Sequence, residues 1–487
     1  MAKDQAKFFN DKACSLLPLD RHDSAPAPAR ITGWECLAIV LLFGAVVAWL
    51  ADADLSGRPA NALPLYTRQT GQPCAACHTA FPELTPFGRR FKLGGYTLGG
   101  GDSSLPFSVL LQPSFPHSDA SQPTNAAPQA GAANMQAGRR SGGRRRGGGG
   151  AAPSVAPNDE LVLEQGAVFT GGGISDTLGA FVRATYDHAS GHAAWDNTDL
   201  RYAASGKLAG HDLIWGMSLN NNPTVQDVWN TIATWRFPYH VKREGGGAMT
   251  ATSIEGDFGK RSVGIGSYAF LDDLLYVELS GYRSLTSSTQ RALGIDPMGA
   301  NAIDGFAPYW RLAIEPMFGN HAIEVGTFGF KSNTFPSQMS GAGTDSTTDL
   351  GVDTQYQWLG DENAVTIRGS WIHEDRGLKA SRALRLADNS HNILRSLHVS
   401  ASYIFDSTWS LTAERFSFGG THDAGLYRNP TGTPSNSGWT AEIAYLPFMR
   451  GGPSFWPWLN ARIGLQYTFN DQNPHNNTLL LYSLILF

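Results

Sequence analysis

The chain has 487 residues, enough for two or three ordinary domains or for one large barrel with a small module attached. The formal net charge is -5 and charged residues make up 16%, so the composition gives no argument for nucleic-acid binding. Glycine is abundant at 55 residues and aromatics make up 11%, a mixture that suits many strands, many turns and interfacial rings.

The N-terminal part contains one long apolar run, residues 36–50 (CLAIVLLFGAVVAWL). Arg30 precedes it and Ala51-Asp52-Ala53 follows it, and this order is typical of a secretory signal peptide. We predict a signal peptide with an N-terminal extension over residues 1–53, with a second candidate cleavage site at Ala62. A single membrane anchor is the alternative, although the run is short of the roughly 20 residues that a spanning helix needs.

After cleavage only Cys74 and Cys77 of the four cysteines remain, so no disulfide framework is expected. With His78 they form C-x-x-C-H, the attachment motif of c-type haem. Two thiols at this spacing reach the two vinyl groups of one porphyrin, and the adjacent histidine becomes the proximal iron ligand. A redox dithiol or half of a zinc site would also use C-x-x-C, but neither a thioredoxin-like pattern nor further cysteines accompany it. We therefore predict one covalently bound haem c on a segment covering residues 63–101.

The sequence gives a weaker signal for the sixth iron ligand than for the proximal histidine. No methionine lies between Cys74 and Asn134, and the next histidine is His117. His117 is the distal candidate, against the alternative of a surface histidine at a strand end, with His188 and His192 as remote candidates. The haem segment is too small to bury a haem by itself, so another part of the chain has to shield it.

From residue 105 to 487 the dominant pattern is an alternation of apolar and polar residues in segments of about 10 to 14 residues. Residues 178–187 (LGAFVRATYD) and 310–315 (WRLAIE) are examples. Long strands, aromatic residues near their ends and an apolar last strand ending in Phe487 favour a transmembrane antiparallel β-barrel over a soluble sandwich. The predicted fold class is therefore all-β.

Turn lengths set the expected number of strands. Short turns at 271–274, 318–321, 359–363, 405–410 and 450–453 alternate with longer connections, and the alternation gives 16 strands if residues 251–270 form one long bent strand. Residues 118–158 then form a loop between the first two strands, which we predict to be disordered because it is rich in Gly, Ala, Pro and Arg. A second loop from about residue 220 to 247, rich in Trp and Pro, is expected to fold over the mouth of the pore.

Charged residues on the polar face of these strands are expected to line the lumen. A charge-compensated network that stiffens the barrel is favoured over a path that guides ions. The residues are Arg183, Arg201, Glu278, Arg311, Glu315, Glu324, Arg368, Glu414, Glu442 and Arg462.

The haem segment closely resembles the N-terminus of the fused cytochrome–porin family, whose best-known members are outer-membrane iron oxidases. The matching pieces are residues 68–71 (RQTG), 74–78 (CAACH), Pro82, 84–89 (LTPFGR), 91–92 (FK) and 94–96 (GGY). The resemblance implies one haem housed by a 16-stranded porin in the bacterial outer membrane, with one-electron transfer across that membrane.

The expected function is oxidation of an extracellular reduced metal ion such as Fe(II), with the electron passed to a periplasmic c-type cytochrome. Fe(II) as the donor is implied by the resemblance alone. Two alternatives remain open: a solute porin with a haem plug or sensor, and a reductase that delivers electrons outward to a metal or an organic acceptor. The sequence offers no nucleophile–base constellation and no phosphate-binding loop, so no catalytic residue is assigned.

Overall fold

The computed structural model describes residues 64–99, 107–118, 122–123, 155–156, 161–188, 191–232, 237, 239, 251–256, 258–453, 456, 458–472 and 477–487. The predicted signal peptide and nearly all of the predicted disordered loop lie outside these residues. Three short helices come first: α1 (Pro64–Thr70), α2 (Cys74–Cys77) and α3 (Pro86–Leu93). None of the helices in the described ranges has the length and apolar character needed to cross a membrane.

Twenty strands follow, four of which have only two residues. In chain order they are β1 (Phe107–Ser118), β2 (Gln122–Pro123), β3 (Val155–Ala156), β4 (Val162–Gly173), β5 (Leu178–Asp187), β6 (His192–Leu208), β7 (His211–Asn220), β8 (Ser262–Leu271), β9 (Leu275–Ser284), β10 (Ala302–Ile303), β11 (Ala307–Ile314), β12 (Met317–Phe318), β13 (His321–Phe335), β14 (Asp345–Leu359), β15 (Ala364–Gly377), β16 (His391–Phe405), β17 (Trp409–Gly420), β18 (Asn436–Tyr445), β19 (Asn460–Asn470) and β20 (Thr478–Leu486). Short helices lie in the connections: α4 (Ser253–Gly256), α5 (Ser287–Ala292), α6 (Lys379–Ala383) and α7 (Ala424–Tyr427), with 3₁₀ turns at Pro223–Gln226, Pro336–Gln338 and Ser340–Ala342.

The long strands close into a barrel. Each pairs antiparallel with its neighbours, and β1 pairs with both β4 and β20. The two-residue strands β10 and β12 pair with β13, on either side of the stretch that pairs with β11, so the three occupy one position in the wall. The sheet therefore has 16 positions around a closed barrel, as the turn lengths predict, while β2 and β3 form a separate hairpin.

The two rims of the barrel differ. The start of β1, the end of β20 and the tight turns at 174–177, 209–210, 272–274, 360–363 and 406–408 lie on one side, which we call the short-turn rim. The strand ends that precede the longer connections lie on the other side, the long-loop rim: Ser118, Asn220, Ser284, Gly377 and Gly420. Two connections depart from this pattern, because the short turn between β5 and β6 lies at the long-loop rim and the longer connection between β18 and β19 lies at the short-turn rim.

Two expectations about connections were wrong. Residues 251–270 are not one bent strand, because α4 occupies 253–256 and β8 begins only at Ser262. The short turn expected at 450–453 is part of a connection from 446 to 459, in which Leu446, Phe448 and Met449 are buried. The count of 16 survives because each error changes the length of a strand or turn without changing the number of strands.

The two faces of the wall have opposite character. In β11 the side chains of Trp310, Leu312 and Ile314 are 37%, 45% and 46% exposed on the outside, whereas Arg311 is 1% exposed on the inside. Nine of the ten residues expected to line the lumen are buried, and Arg368 is half-buried. A barrel that is apolar outside and charged inside inverts the arrangement of a soluble protein.

Candidate functional site

The C-x-x-C-H motif is held by local backbone geometry. Helix α2 has a single turn, and His78 follows it in an extended conformation, with its amide donating to the Cys74 carbonyl at 2.8 Å. An antiparallel bridge joins His78 to Leu84, so residues 79–83 turn the chain back on itself. This turn fixes the imidazole next to the two cysteines.

Helix α3 packs directly on the motif. Thr85 begins the helix: its hydroxyl accepts from the Gly88 amide at 3.2 Å and donates to the Ala76 carbonyl at 2.6 Å. A Cβ at Gly88 would lie 2.2 Å from the Cys77 carbonyl oxygen, so only glycine allows this approach. The residues after the motif that resemble the cytochrome–porin family are therefore those that buttress it.

The His78 ring is prepared to act as a ligand. Its Nδ1 lies 3.2 Å from the Glu83 carbonyl oxygen. Because a carbonyl only accepts, Nδ1 carries the hydrogen and the Nε2 lone pair is available. Burial lowers the pKa of His78 to about 4, so the ring is neutral at physiological pH, as a metal ligand must be.

The two thiols lie in an environment that disfavours the thiolate. Burial raises the pKa of Cys77 to about 11, and it raises the pKa of the buried Cys74 well above the ordinary value. Asn460 Nδ2 donates to the Cys74 sulfur at 3.0 Å. A redox dithiol needs an attacking cysteine with a lowered pKa. This environment therefore suits cysteines that form thioethers better than it suits a redox dithiol.

Cys74, Cys77 and His78 line one cavity inside the barrel, with about 1170 Å³ of space not filled by atoms, part of it open to solvent. Cofactor pockets are usually lined by apolar side chains with a small number of polar groups among them. Apolar side chains supply much of this wall, and polar ones are gathered among a few residues. The apolar set includes Leu65, Phe81, Leu84, Phe91, Phe169, Phe181 and Leu486, and the polar set includes Tyr66, Lys92, Asn197, Asp199 and Asn230. The donor set and the cavity fit a covalently attached c-type haem.

The site lies toward the short-turn rim. Cys74 packs in a cluster with Ala364, Ile404 and Leu446, which begin β15, end β16 and follow β18 at that rim. Met449, in the connection after β18, accepts a hydrogen bond from the Ala75 amide at 3.2 Å. The connection from 446 to 459 therefore forms part of the floor beneath the motif.

Buried polar contacts fasten the haem segment to the barrel wall. The Arg89 guanidinium donates to the side chains of Gln355 and Gln357, both at 2.9 Å, and forms an ion pair with Glu315. Glu83 pairs with Arg368 of β15 at 2.8 Å. The segment is therefore docked in the lumen by charged groups from the segment and from the wall.

A second segment enters the lumen from the opposite rim. Trp229, in the connection from 221 to 261, is buried, and its indole donates to Glu315 at 2.8 Å. The next residue, Asn230, donates to the Pro82 carbonyl at 3.1 Å. Part of the connection expected to cover the mouth of the pore, residues 221–232, therefore lies within the lumen and contacts the segment that carries the motif. Most of residues 233–250 lie outside the described ranges.

The charged lumen is compensated, as expected. Arg311 pairs with Asp353 at 2.6 Å and Glu324 at 3.0 Å, and Arg462 pairs with Glu442 at 2.6 Å. The pairs with Glu324 and Glu442 link neighbouring strands of the wall, and the pair with Asp353 spans from β11 to β14, across β13. They support the stiffening network over a path for ions.

The structure does not bring His117 to the motif. His117 is exposed near the end of β1 at the long-loop rim, seven positions beyond Leu110, which pairs with Leu486 beside the cavity. At about 3.3 Å per residue this places it roughly 23 Å along the strand. His188 and His192 are exposed beside the 188–191 turn at the same rim. None of these three histidines lines the cavity, and neither a second histidine nor a methionine is among its lining residues.

Several residues of the site were not singled out from the sequence. Asn460 and Asn230 come from distant parts of the chain, and no local pattern distinguishes them from other polar residues. Trp229 belongs to the Trp- and Pro-rich loop expected at the mouth of the pore, but its contact with Glu315 was not predicted. Arg89 and Gly88 lie within the stretch that resembles the cytochrome–porin family, and this was the available signal for them.

The sequence matches no family model and no curated protein. Among solved structures, OmpF of Salmonella typhi in complex with daunomycin is similar over 80% of this chain and 99% of its own, with 12% identity and a TM-score of 0.43. OprB of Pseudomonas putida covers 81% and 99%, with 10% identity and a TM-score of 0.41. The outer-membrane channel DcaP of Acinetobacter baumannii covers 80% and 99%, with 11% identity and a TM-score of 0.40. Likeness at this level carries no argument about what this chain does.

Proposed function

We propose that this chain is an outer-membrane electron-transfer protein that carries one haem c and moves electrons between an extracellular donor and a periplasmic c-type cytochrome. The observation that carries the proposal is the meeting of Cys74, Cys77 and His78 on one cavity inside the barrel. Fe(II) as the donor rests on the resemblance to the outer-membrane iron oxidases. The protein would then act as an Fe(II)-oxidising cytochrome.

The barrel surface supports the membrane location. Large apolar side chains are exposed on the outer face all around the wall, for example Leu219, Leu279, Val352 and Leu465. An exposed apolar belt of this extent is stable against lipid tails and costly in water. The outer membrane is the membrane in which barrels of this kind are found.

The residues of the site divide the work of holding the cofactor. Cys74 and Cys77 would bind it covalently, and His78 would supply the proximal nitrogen, oriented by its bond to the Glu83 carbonyl. Phe81 packs on the His78 ring at 5.6 Å between ring centroids and helps to keep water from it. A haem held there would supply one-electron redox chemistry, with a potential set by its ligands and burial.

The position of the cavity favours a periplasmic acceptor. Outer-membrane barrels have short periplasmic turns and longer extracellular loops, so the short-turn rim faces the periplasm. The cysteines lie toward that rim. A cofactor near the periplasm is well placed to pass an electron to a soluble cytochrome.

The first experiment asks whether the haem is present. The chain is produced in a host that matures c-type cytochromes, and covalent haem is measured by mass spectrometry and by the pyridine haemochrome spectrum. One haem per chain is expected for the wild type. None is expected for Cys74→Ser/Cys77→Ser, whose barrel should still fold. A wild-type chain without covalent haem would refute the proposal.

The second experiment asks for transfer across a membrane. The protein is reconstituted into liposomes that contain an oxidised soluble c-type cytochrome, and Fe(II) is added outside. Reduction of the enclosed cytochrome is expected with the wild type and absent with the double cysteine variant. Transfer only in the opposite direction, from a reduced cytochrome inside to Fe(III) outside, would favour the outward reductase.

A solute porin with a haem plug is the second candidate, favoured by the closed barrel of 16 strand positions. The two functions differ in planar-bilayer conductance of the full chain. A steady ohmic conductance, independent of the redox state of the haem, would support a porin. The electron-transfer proposal expects little conductance, because residues 64–98 and residues 221–232 both enter the lumen and contact each other there.

A further inference from the structure

The cavity lining has an apolar part and a polar part. Cys74 lies toward the short-turn rim in a cluster of apolar side chains, and Cys77 follows it one helical turn later. Polar side chains are gathered around Asp199: the Tyr96 hydroxyl donates to it at 2.7 Å, and Tyr66 stacks on Tyr96 with ring centroids 5.5 Å apart. Lys92 also interacts electrostatically with Asp199. A ligand that fills the cavity thus meets an attachment end and a polar end.

The Tyr66 hydroxyl at the polar end has no partner. It is buried, it belongs to a residue of the cavity wall, and it makes no hydrogen bond to any residue that the structure describes. The neighbouring tyrosine, Tyr96, is satisfied by Asp199. A buried hydroxyl without a partner destabilises the folded chain, so such a group beside a cavity points to a polar atom of the ligand.

Lys92 brings a positive charge to the same end. Its ammonium donates to the Val225 carbonyl, which leaves further N–H groups to donate. Burial and the nearby Arg201 lower its pKa to about 8, so the side chain is mostly cationic at neutral pH. The charged groups that face it are Arg201, Asp199, Asp227 and Glu278. A protonated amine binds an anion and cannot ligate iron.

Helix α3 sets the distance between the two ends. Gly88 contacts the Cys77 carbonyl, and Lys92 lies four residues later on the same face of the helix. Four residues of helix add about 6 Å of rise. Lys92 therefore lies about one helical turn beyond the contact with Cys77, and its side chain lines the same cavity.

We propose that the Tyr66 hydroxyl and the Lys92 ammonium bind the carboxylates of the tetrapyrrole. This inference rests on the proposed function. A haem carries its two vinyl groups on one side of the ring and its two carboxylates on the opposite side. A ring tethered through its vinyl carbons at Cys74 and Cys77 presents its carboxylates to the far end of the cavity. A carboxylate buried there needs a cation and a hydrogen-bond donor, which are the two groups that this end supplies.

The test uses the haem-loaded full chain. Lys92→Met and Tyr66→Phe are compared with wild type by measuring the midpoint potential of the haem from pH 4 to 9. An adjacent ammonium lowers the pKa of a carboxyl group by about one to three units. Lys92→Met is therefore expected to move the onset of the pH dependence upward by about one to three pH units, with covalent haem content unchanged. Tyr66→Phe is expected to move it less and in the same direction.

Three further variants serve as controls. Lys92→Arg keeps the charge and should retain the wild-type profile. Lys260→Met removes a lysine that pairs with Asp196 at 3.2 Å and does not line the cavity. Tyr282→Phe removes a buried hydroxyl that already has a partner, Asn220 at 3.2 Å. Neither of the last two should shift the profile.

Two results would overturn the inference. One is a Lys92→Met profile that matches wild type. The other is a change of the ferric haem from low spin to high spin in Lys92→Met, which would make Lys92 an iron ligand. Absence of covalent haem from the wild type would be a failure of the proposed function itself, and mass spectrometry distinguishes it from both.

Discussion

Arg89→Met tests whether the haem segment is docked by its buried ion pair. The side chains of Arg89 and Glu315 are 2% and 3% exposed, so the pair is shielded from solvent. Methionine keeps most of the volume but removes the charge and the donors to Gln355 and Gln357. Removing one partner of a buried pair typically costs about 3–5 kcal/mol. Glu315 retains its bond from the Trp229 indole, so we take the lower end, about 3 kcal/mol.

This cost should appear as local opening of the segment. About 3 kcal/mol corresponds to about a 100-fold change in the docking equilibrium. The assay is hydrogen exchange of the amides of residues 90–93 in detergent-solubilised protein. These amides should exchange about 100-fold faster in Arg89→Met, while the amides of the barrel strands keep their rates. Arg89→Met/Glu315→Gln, which removes the unpaired charge, should recover part of the protection.

The neighbouring arginine is the matched control. Arg90 pairs with Asp273 at the surface, where their side chains are 53% and 35% exposed. Exposed pairs contribute little to stability, so Arg90→Met should change the exchange of α3 by no more than a few-fold. Equal exchange in the two variants would refute the claim that the Arg89 pair docks the segment.

Three further predictions follow from single contacts. Gly88→Val should lower the yield of haem-loaded protein, because a Cβ at this position lies 2.2 Å from a backbone oxygen of the motif. The yield is measured by haem stain against total protein. Gly206→Ala should not lower it, because the space around Gly206 is open. His117→Ala should leave the ferric and ferrous spectra unchanged, and a shifted spectrum would mean that this exposed histidine reaches the iron. Trp229→Ala removes a buried side chain at a cost of about 3–5 kcal/mol and should raise bilayer conductance. Trp310→Ala, which removes an outward-facing side chain, should leave the conductance unchanged. An unchanged conductance in Trp229→Ala would contradict the insertion of this connection into the lumen.

The barrel could be predicted from the sequence because its cause is local. In a strand, side chains alternate between the two faces. The apolar and polar pattern of residues 310–315 therefore predicts which side chains face lipid and which face the lumen. Turn lengths largely alternate along the chain because most connections at one rim are short and most at the other are longer. The error at 251–270 arose where this signal is weakest: the alternation of β8 continues by chance into a helical stretch.

The inserted connection could not be predicted in the same way. Trp229 is buried because its indole contacts Glu315, 86 residues later in the chain. The sequence of residues 221–232 contains no pattern that predicts this contact. The site itself was predicted in part. The motif is local and so was visible, whereas Asn460 reaches Cys74 only through the closure of the barrel, 386 residues along the chain.

The burial of Cys74 has a consequence for the order of assembly. Its sulfur lies inside the barrel, 3% of the residue is exposed, and the wall is sealed by β1 pairing with β20, where Leu110 meets Leu486. An enzyme that joins a porphyrin to this thiol has to grasp the chain around it, and no protein of that size fits within the closed wall. If the proposed haem is bound covalently, it must therefore be attached before the barrel closes. A chain whose barrel closed first would remain without the proposed haem.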